Sequence, residues 1–374
     1  SKYVKGNVRM SFQNKRVLVV GMARSGIAAA RFLADAGAMV TLYDKKPPEK
    51  LAKELALLRG YQIAYCLGEE PKISKEDFDL VVTSPGVPLN VSLLQEAKQQ
   101  EIPLWGELEL AYRVCKAPII AITGTNGKST TTTLLGKVLR DGGYQVKVAG
   151  NIGQPLIAET ATIDEQGLVV AEVSSFQLET IHTFKPKVAV LINITPDHLD
   201  RHKTMEHYTY LKTRVFANQG PEDYAILNYD DPIVRQLAPK LQSKVIFFSK
   251  EHRLEQAVFF DGKVIKHSLQ GKVEDIVCWD SIKLRGGHNL ENCMAASAAA
   301  LALGVSNTGL KKSLQDFEGI PHRLEVIGEV GGVSYVNDSK ATNIESTLKA
   351  LEAYADKPIV LIAGGLDRGN SFDR

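Results

Sequence analysis

IIAITGTNGKSTTTT, residues 119–133, is the stretch on which the reading of this chain turns. Four apolar residues, 119–122, read as a short buried strand that runs straight into a glycine-containing loop. Gly124 and Gly127 put no Cβ in the way, so the loop N–H groups, those of Thr125 and Asn126 included, can turn toward an anion. Lys128 adds a point charge suited to β/γ-phosphates, and a hydroxyl from Ser129 or Thr130 suits Mg²⁺. A helix is expected over 129–140, its N-terminal dipole facing the same phosphates, with Gly142 and Gly143 ending it. The generic phosphate loop has a further glycine where Ile122 stands here, so the match is to a shorter variant, TGTNGKST. The expected chemistry is nucleotide-phosphate binding.

Toward the N-terminus, residues 16–44 read as a β-α-β unit. A strand at 16–20 leads into the turn GMARSG (21–26), a helix at 27–36 ends at Gly37, and a second strand at 39–43 finishes on Asp44. The turn is close to the dinucleotide fingerprint G-x-G-x-x-G, with Ala23 at the second glycine position. An acidic residue about 20 residues on suits a ribose or base. Taken alone, this unit would say NAD-dependent dehydrogenase. A further strand at 78–83 runs into SPGVP (84–88), at the carboxyl end of a sheet strand where open α/β sheets bind ligands. The first domain is expected to span 1–107.

Downstream, the turn GNIG (150–153) follows a strand at 145–149. A buried strand at 168–171 then delivers Glu172, Ser174 and Ser175. The strand 188–192 ends in NITPDHLD, placing Asp197, His198 and Asp200 in a loop at the same sheet edge as Lys128 and Glu172. Strand ends converging on one edge suit a bound nucleotide with metal. Lys212 lies on a helix expected over 205–218, where a lysine is ordinarily a solvated stem. Strands are expected at 224–228, 244–248 and 258–265. GGHNLEN (286–292) opens an Ala-rich helix running to 303, with Asn289 and Asn292 three apart on one face, where they read a base edge or cap the helix. A turn at 319–323, a hairpin over 324–337, the loop 338–343, a helix from 344 and a final strand at 358–363 complete the chain. Two strands and a helix cannot bury both faces of a parallel sheet, so this last domain is expected to be incomplete.

The whole chain has 374 residues, 44% hydrophobic and 24% charged, with net charge +2. That suits a multidomain cytoplasmic enzyme and gives no footprint for nucleic acid or an anionic membrane. Its four cysteines show no metal-ligand spacing and read as buried thiols of a reducing compartment.

Taken together, GMARSG, SPGVP, TGTNGKST, GNIG, AEVSSFQLE, NITPDHLDRH, GGHNLEN, PHRLE, NDSKATN and AGGLDRGN make the chain resemble the Mur ligases, ATP-dependent amide-forming enzymes of peptidoglycan synthesis. The resemblance implies an α/β fold of three parts. These are a Rossmann-like domain for a UDP sugar (1–107), a central P-loop-type ATPase with a mostly parallel sheet (108–319), and the start of a Rossmann-like amino-acid domain (320–374). It implies Lys128 on the β/γ-phosphates, Ser129 and Glu172 on one Mg²⁺, and His198 with Lys212 on a second, Lys212 as a carbamate. Gly124, Thr125, Asn126, Gly127, Ser129 and Thr130 would cradle ATP, Asn289 and Asn292 would lie near adenine, and Arg323 and Asp338 at ribose and phosphates. Ala23, Arg24, Asp44, Ser84 and Gly86 would contact uridine and its diphosphate. Asn151 and Ser174, with His198, would hold the muramoyl-alanine arm.

Within the family, AGGLDRG resembles the segment of members that add D-glutamate to UDP-N-acetylmuramoyl-L-alanine, and the DNPR motif of the diamino-acid ligases is absent. Lys340, Thr342 and Arg368 would then meet D-glutamate, Arg368 standing where lysine is frequent. A monomer with a hinge near 319–322 is expected. The competing readings are a sibling or folate polyglutamate ligase, the dehydrogenase, which leaves TGTNGKST unexplained, and a non-catalytic nucleotide-binding regulator.

Overall fold

The computed structural model describes residues 11–151, 153–197 and 199–365. The chain divides into two compact units. Residues 1–123, 144–189 and 196–223 form the first, and residues 124–143, 190–195 and 224–374 the second.

In the first unit, β1 (Arg16–Val20), β2 (Met39–Asp44), β3 (Ile63–Leu67), β4 (Leu80–Thr83) and β5 (Leu104–Gly106) form a sheet in the order β3-β2-β1-β4-β5. All four pairings are parallel. Residues 17–20 of β1 and 80–82 of β4 are continuous apolar runs because a parallel strand covered on both faces has no solvent side. The chain winds to one side from β1 to β3 and returns through β4. The loops after β1 and β4 therefore flank the topological switch point, where such sheets take ligands. Leu18, Val20, Val81, Leu93, Leu94 and Ile102 pack the core beneath them. The helix after β1 is Arg24–Asp35, three residues earlier than expected, because Arg24 and Ser25 continue the helical turn that Ala23 opens. The same unit holds β6 (Ile119–Thr123), β7 (Val146–Gly150) and β8 (Leu168–Glu172), neighbours in the parallel order β6-β8-β7. The helix expected over 205–218 is α-helical over Met205–Thr213 and tightens to a 3₁₀ turn at Arg214–Phe216.

β9 (Val188–Leu191) passes from the first unit into the second. There β10 (Tyr224–Asn228), β11 (Lys244–Ser249), β12 (Ala257–Phe260), β13 (Val264–His267) and β14 (Glu274–Cys278) follow in order, the first two pairings parallel and the last two antiparallel. The single strand expected at 258–265 is thus a hairpin, and β14 was not anticipated. Asp261 Oδ1 accepts from Lys263 N (2.9 Å) and Val264 N (2.7 Å), and Gly262 has φ +97°, a turn chemistry that breaks the run. The helix Gly287–Ala302 packs on the helix Lys128–Asp141. β15 (Glu325–Val330) and β16 (Val333–Asn337) form the expected hairpin, and the helix Ile344–Glu352 follows.

The strand expected at 358–363 does not form. A strand exists only through ladder bonds to a neighbour, and among the described residues none lies alongside this segment, whose Val360 and Ile362 are 91% and 94% exposed. Of the cysteines expected to be buried, Cys115 and Cys293 are, whereas Cys66 and Cys278 are half-buried; all four are free thiols. Among the described residues no helix is long and apolar enough to cross a membrane.

Candidate functional site

The phosphate loop lies in the second unit. Gly127 precedes the helix Lys128–Asp141 with φ +88°, and a Cβ there would stand 2.3 Å from Asn292 Oδ1, so only glycine fits. Gly124 has φ +150° and runs against Ile192 and Asn193. Lys128 Nζ folds back and donates to the carbonyls of Gly124 (2.8 Å) and Thr125 (3.1 Å). Asn193, which sequence reasoning passed over, is the loop's fastener. Its Oδ1 accepts from Thr125 N and Asn126 N, both at 2.9 Å, and its Nδ2 donates to the Asn126 carbonyl. The available signal was an amide residue placed directly after a strand.

A small open pocket adjoins this loop within the same unit. Asn126, Gly127, Asn292, Arg323, Asp338 and Ser346 are among its lining residues. Asn292 Nδ2 donates to Asn289 Oδ1 (3.2 Å), and Asn289 Nδ2 to the Arg285 carbonyl, so the two asparagines do share a face. Asp338 accepts from Leu324 N (3.1 Å), and burial pushes its carboxyl above the usual range. Ser346 Oγ donates to Asn126 Oδ1 (2.9 Å), a contact across 220 residues that no local pattern announced. Asn126 Nδ2 and Arg323 Nε are buried with no hydrogen-bond partner among the described residues. Two orphan donors on residues that line one pocket suit an acceptor-rich ligand such as a nucleotide. Thr130 Oγ1 is also buried and has no hydrogen-bond partner among the described residues, and Ser129 occupies the first turn of the helix. His288 lines the same pocket; burial first, then the charges of Lys349, Arg323 and Lys250, holds its pKa down to about 4. Lys340 and Thr342 are exposed in the loop leading to the helix Ile344–Glu352. Arg368 lies outside the described residues.

The first unit holds the other residues. In the loop after β1, Asp44 Oδ2 accepts from Met22 N and its Oδ1 from Lys46 N, both at 2.9 Å, so this carboxylate fastens two turns. A Cβ on Gly26 would stand 1.8 Å from the Gly21 carbonyl, the close helix–strand approach that the fingerprint's last glycine permits. Ala23 sits at the N-cap, and Arg24 donates to the carbonyl of Gly153 in the GNIG turn. Ser84 Oγ is buried without a hydrogen-bond partner among the described residues, and a Cβ on exposed Gly86 would meet nothing within 4 Å. Glu172, at the end of β8, is 5% exposed, and its carbonyl accepts from Asn151 N. Ser174 caps the helix Ser175–Leu178 in a capping box with Gln177.

Lys212 departs from expectation: it is 2% exposed rather than solvated, with Nζ donating to Thr123 Oγ1 at 3.2 Å. The turn from Met205 faces Tyr208, Leu211 and Lys212 inward together, which the residue type alone did not signal. His198 lies outside the described residues. Among the described residues no three His, Cys, Asp or Glu side chains cluster as a metal site. The Glu172 carboxylate of the first unit and the Ser129 hydroxyl of the second are each hard oxygen donors of the kind Mg²⁺ takes, usually alongside substrate phosphates, so each by its own chemistry fits that ion.

The Mur ligase middle domain matches residues 122–300, and the Mur ligase MurD-like N-terminal domain matches 15–106. The chain is 51% identical over 361 residues to the UDP-N-acetylmuramoylalanine–D-glutamate ligase of Pelotomaculum thermopropionicum, covering 96% of this chain and 79% of that one. It is 46% identical over 365 residues to the like-named ligase of Alkaliphilus metalliredigens, covering 97% and 80%. Among solved structures, MurF from Acinetobacter baumannii (TM-score 0.58, 19% identity, covering 93% and 70%) shares the fold. So does the UDP-N-acetylmuramate-alanine ligase MurC from Thermotoga maritima (0.56, 18%, 91% and 79%).

Proposed function

The chain belongs to the Mur ligase family, and from that premise we propose how its residues carry the family's reaction. It is an ATP-dependent amide-forming ligase that adds D-glutamate to UDP-N-acetylmuramoyl-L-alanine through an acyl phosphate. It acts on small-molecule substrates and requires Mg²⁺. One observation supports this reading most directly: a glycine-shaped phosphate loop beside a pocket lined by Asn126 and Arg323, whose Nδ2 and Nε have no partner among the described residues. The dehydrogenase reading would leave both without purpose.

Lys128 is held by two loop carbonyls. On this reading it exchanges them for the β/γ-phosphate oxygens, and the helix N-terminus behind it adds favourable potential. Asn289 and Asn292 receive adenine; Arg323 and Asp338 receive ribose and phosphates. Ser129 and Glu172 would hold one metal ion, and His198 with Lys212 a second. Lys212 serves as a carbamate, formed when its neutral Nζ adds CO₂ and releases a proton, because an ammonium cannot ligate a cation. Mg²⁺ bound there supplies Lewis-acid stabilisation of charge on the transferring phosphoryl group. The alanine carboxylate, positioned by Asn151 and Ser174, attacks the γ-phosphorus in line and releases ADP. The D-glutamate amine, placed by Lys340, Thr342 and Arg368, then attacks the acyl carbon, and the tetrahedral intermediate expels phosphate. Ala23, Arg24, Asp44, Ser84 and Gly86 hold the uridine diphosphate.

The same reading assigns residues 1–107, 108–319 and 320–374 to UDP-sugar, ATP and amino-acid domains of a cytoplasmic monomer. The third swings on a hinge at 319–322, where Gly319 and His322 have φ +94° and +65°. Scattering profiles that do not change with nucleotide and UDP sugar would count against the hinge.

The deciding experiment is phosphate release from ATP·Mg²⁺ and UDP-N-acetylmuramoyl-L-alanine, with D-glutamate, L-alanine, a diamino acid or a dipeptide as acceptor. Turnover with D-glutamate alone is expected. Turnover with another acceptor only, or none with any, refutes the assignment.

A further inference from the structure

In the first unit, the turn Ser84–Val87 is closed by Val87 N donating to the Ser84 carbonyl at 3.1 Å. Pro85 fixes one corner of it, and Gly86 lies open at its tip. The carbonyls on either side of Gly86 are taken by one guanidinium. Arg201 Nη1 donates to Pro85 O at 2.8 Å and Nη2 to Val87 O at 3.3 Å. The same head lies 3.4 Å from Glu179 Oε2 and rests its carbon 4.4 Å from the Phe176 ring centroid. Phe176 belongs to the helix Ser175–Leu178 that Ser174 caps, and Glu179 follows it directly.

A planar fork with five donors and a stackable face meets all four partners at once, which an ammonium cannot do. The Glu179 carboxylate is anchored in turn: its Oε1 lies 3.4 Å from His202 Nδ1, and His202 Nε2 lies 2.8 Å from Ser175 Oγ. Ser175, His202 and Glu179 resemble a nucleophilic triad in order. Ser175 and His202 are only 1% and 2% exposed, however, so no substrate can reach that serine. The cluster is suited to holding a shape.

We propose that Arg201 is a positioning residue for the nucleotide sugar. It sets the Gly86 turn that receives the uridine diphosphate and ties that turn to the Ser174 helix that receives the muramoyl-alanine arm. The inference rests on the ligase reading for the identity of the ligand. The contacts of the Arg201 head are Pro85, Val87, Glu179 and Phe176, and it acts through them. Losing it should therefore weaken the UDP end even when no muramoyl arm is present, and should leave ATP affinity alone.

The experiment measures dissociation constants of UDP, UDP-N-acetylmuramoyl-L-alanine and ATP·Mg²⁺ by calorimetry for the unaltered chain, Arg201→Ala and Arg201→Lys, with melting temperatures of the unliganded proteins as the folding control. Arg201→Ala is expected to weaken UDP and the full UDP sugar by about tenfold or more, the consequence of losing charge-assisted bonds to two carbonyls. ATP should stay within about twofold, and Arg201→Lys, which keeps the charge but not the planar fork, should fall between. Unchanged UDP affinity in both folded variants overturns the proposal, as does equal weakening of UDP and ATP, which would mark a merely structural role. If Arg201→Ala does not fold, Arg201→Lys alone decides by the same comparison. Failure of the unaltered chain to bind the UDP sugar refutes the ligase reading itself, and this inference with it.

Discussion

Asn193 grips Asn126 from both sides: its Oδ1 accepts the Asn126 N–H at 2.9 Å, and its Nδ2 donates to the Asn126 carbonyl at 3.1 Å. One side chain thus stands in for a neighbouring strand and fixes the phosphate loop before any ligand arrives. Asn193→Ala leaves two loop N–H groups, those of Thr125 and Asn126, without this acceptor. At about 1 kcal/mol per lost bond, the loop should loosen and the dissociation constant of ATP should rise about tenfold. Calorimetric titration of ATP·Mg²⁺ measures it, and wild-type affinity would contradict the assignment of Asn193 as the fastener.

Gly127→Ala tests the other end of the loop. The backbone there sits at φ +88°, which costs a residue with Cβ about 1–2 kcal/mol, and that Cβ would stand 2.3 Å from Asn292 Oδ1. The variant should melt lower and lose ATP binding. Adding Asn292→Ala should recover part of the melting temperature, the part due to collision, and none of the part due to backbone strain. Full recovery would show that φ costs nothing here.

Glu107 is buried at the start of the helix Glu107–Val114, its Oε1 accepting from Ile157 N at 2.7 Å. Desolvation outweighs the backbone hydrogen bonds and pushes the carboxyl up to about 7, from 4.5. With the folded value raised, the neutral form is favoured in the native state. As pH rises from about 4.5 to 7 the unfolded chain ionises first, so native stability falls, by up to about 3 kcal/mol once both are ionised. Glu107→Gln keeps the acceptor and removes the titration. Its melting temperature should exceed the parent's at pH 8 and change less between pH 5 and 7. Parallel curves for the two proteins would refute this.

His288 shows the opposite sign. Its folded pKa lies at about 4, below the ordinary 6.5, so its contribution to stability is complete above 6.5 and is lost as pH falls toward 4. At pH 6 the imidazole should be neutral by NMR in the free protein. Bound ATP, bringing negative charge to the pocket that His288 lines, should raise its pKa. A ring that titrates near 6.5 in the free protein would contradict the burial argument.

Legibility followed the range of the physics. Gly124, Gly127 and Lys128 could be read because a strand, a glycine turn and a helix start are decided within about ten residues. The hairpin at Asp261-Gly262 was equally local and was overlooked because the apolar run on both sides read as one strand. Lys212 misled by residue type: only the facing of its helix decides that this amine is buried beside Thr123. Residues 358–363 have every local property of a strand and are none, because ladder bonds belong to a pair of segments.

What the sequence determined by itself is therefore the inventory of parts: the phosphate loop, the β-α-β opening, the parallel strands and the family to which they belong. These follow from backbone geometry and side-chain period, which neighbouring residues set. The tertiary structure alone decided which distant groups meet. Asn193 on Asn126, Ser346 on Asn126 across 220 residues, and Arg201 on the Gly86 turn are of this kind. Hydrogen bonds act over about 3 Å of space and carry no record of separation along the chain, so only the packed fold can choose such partners.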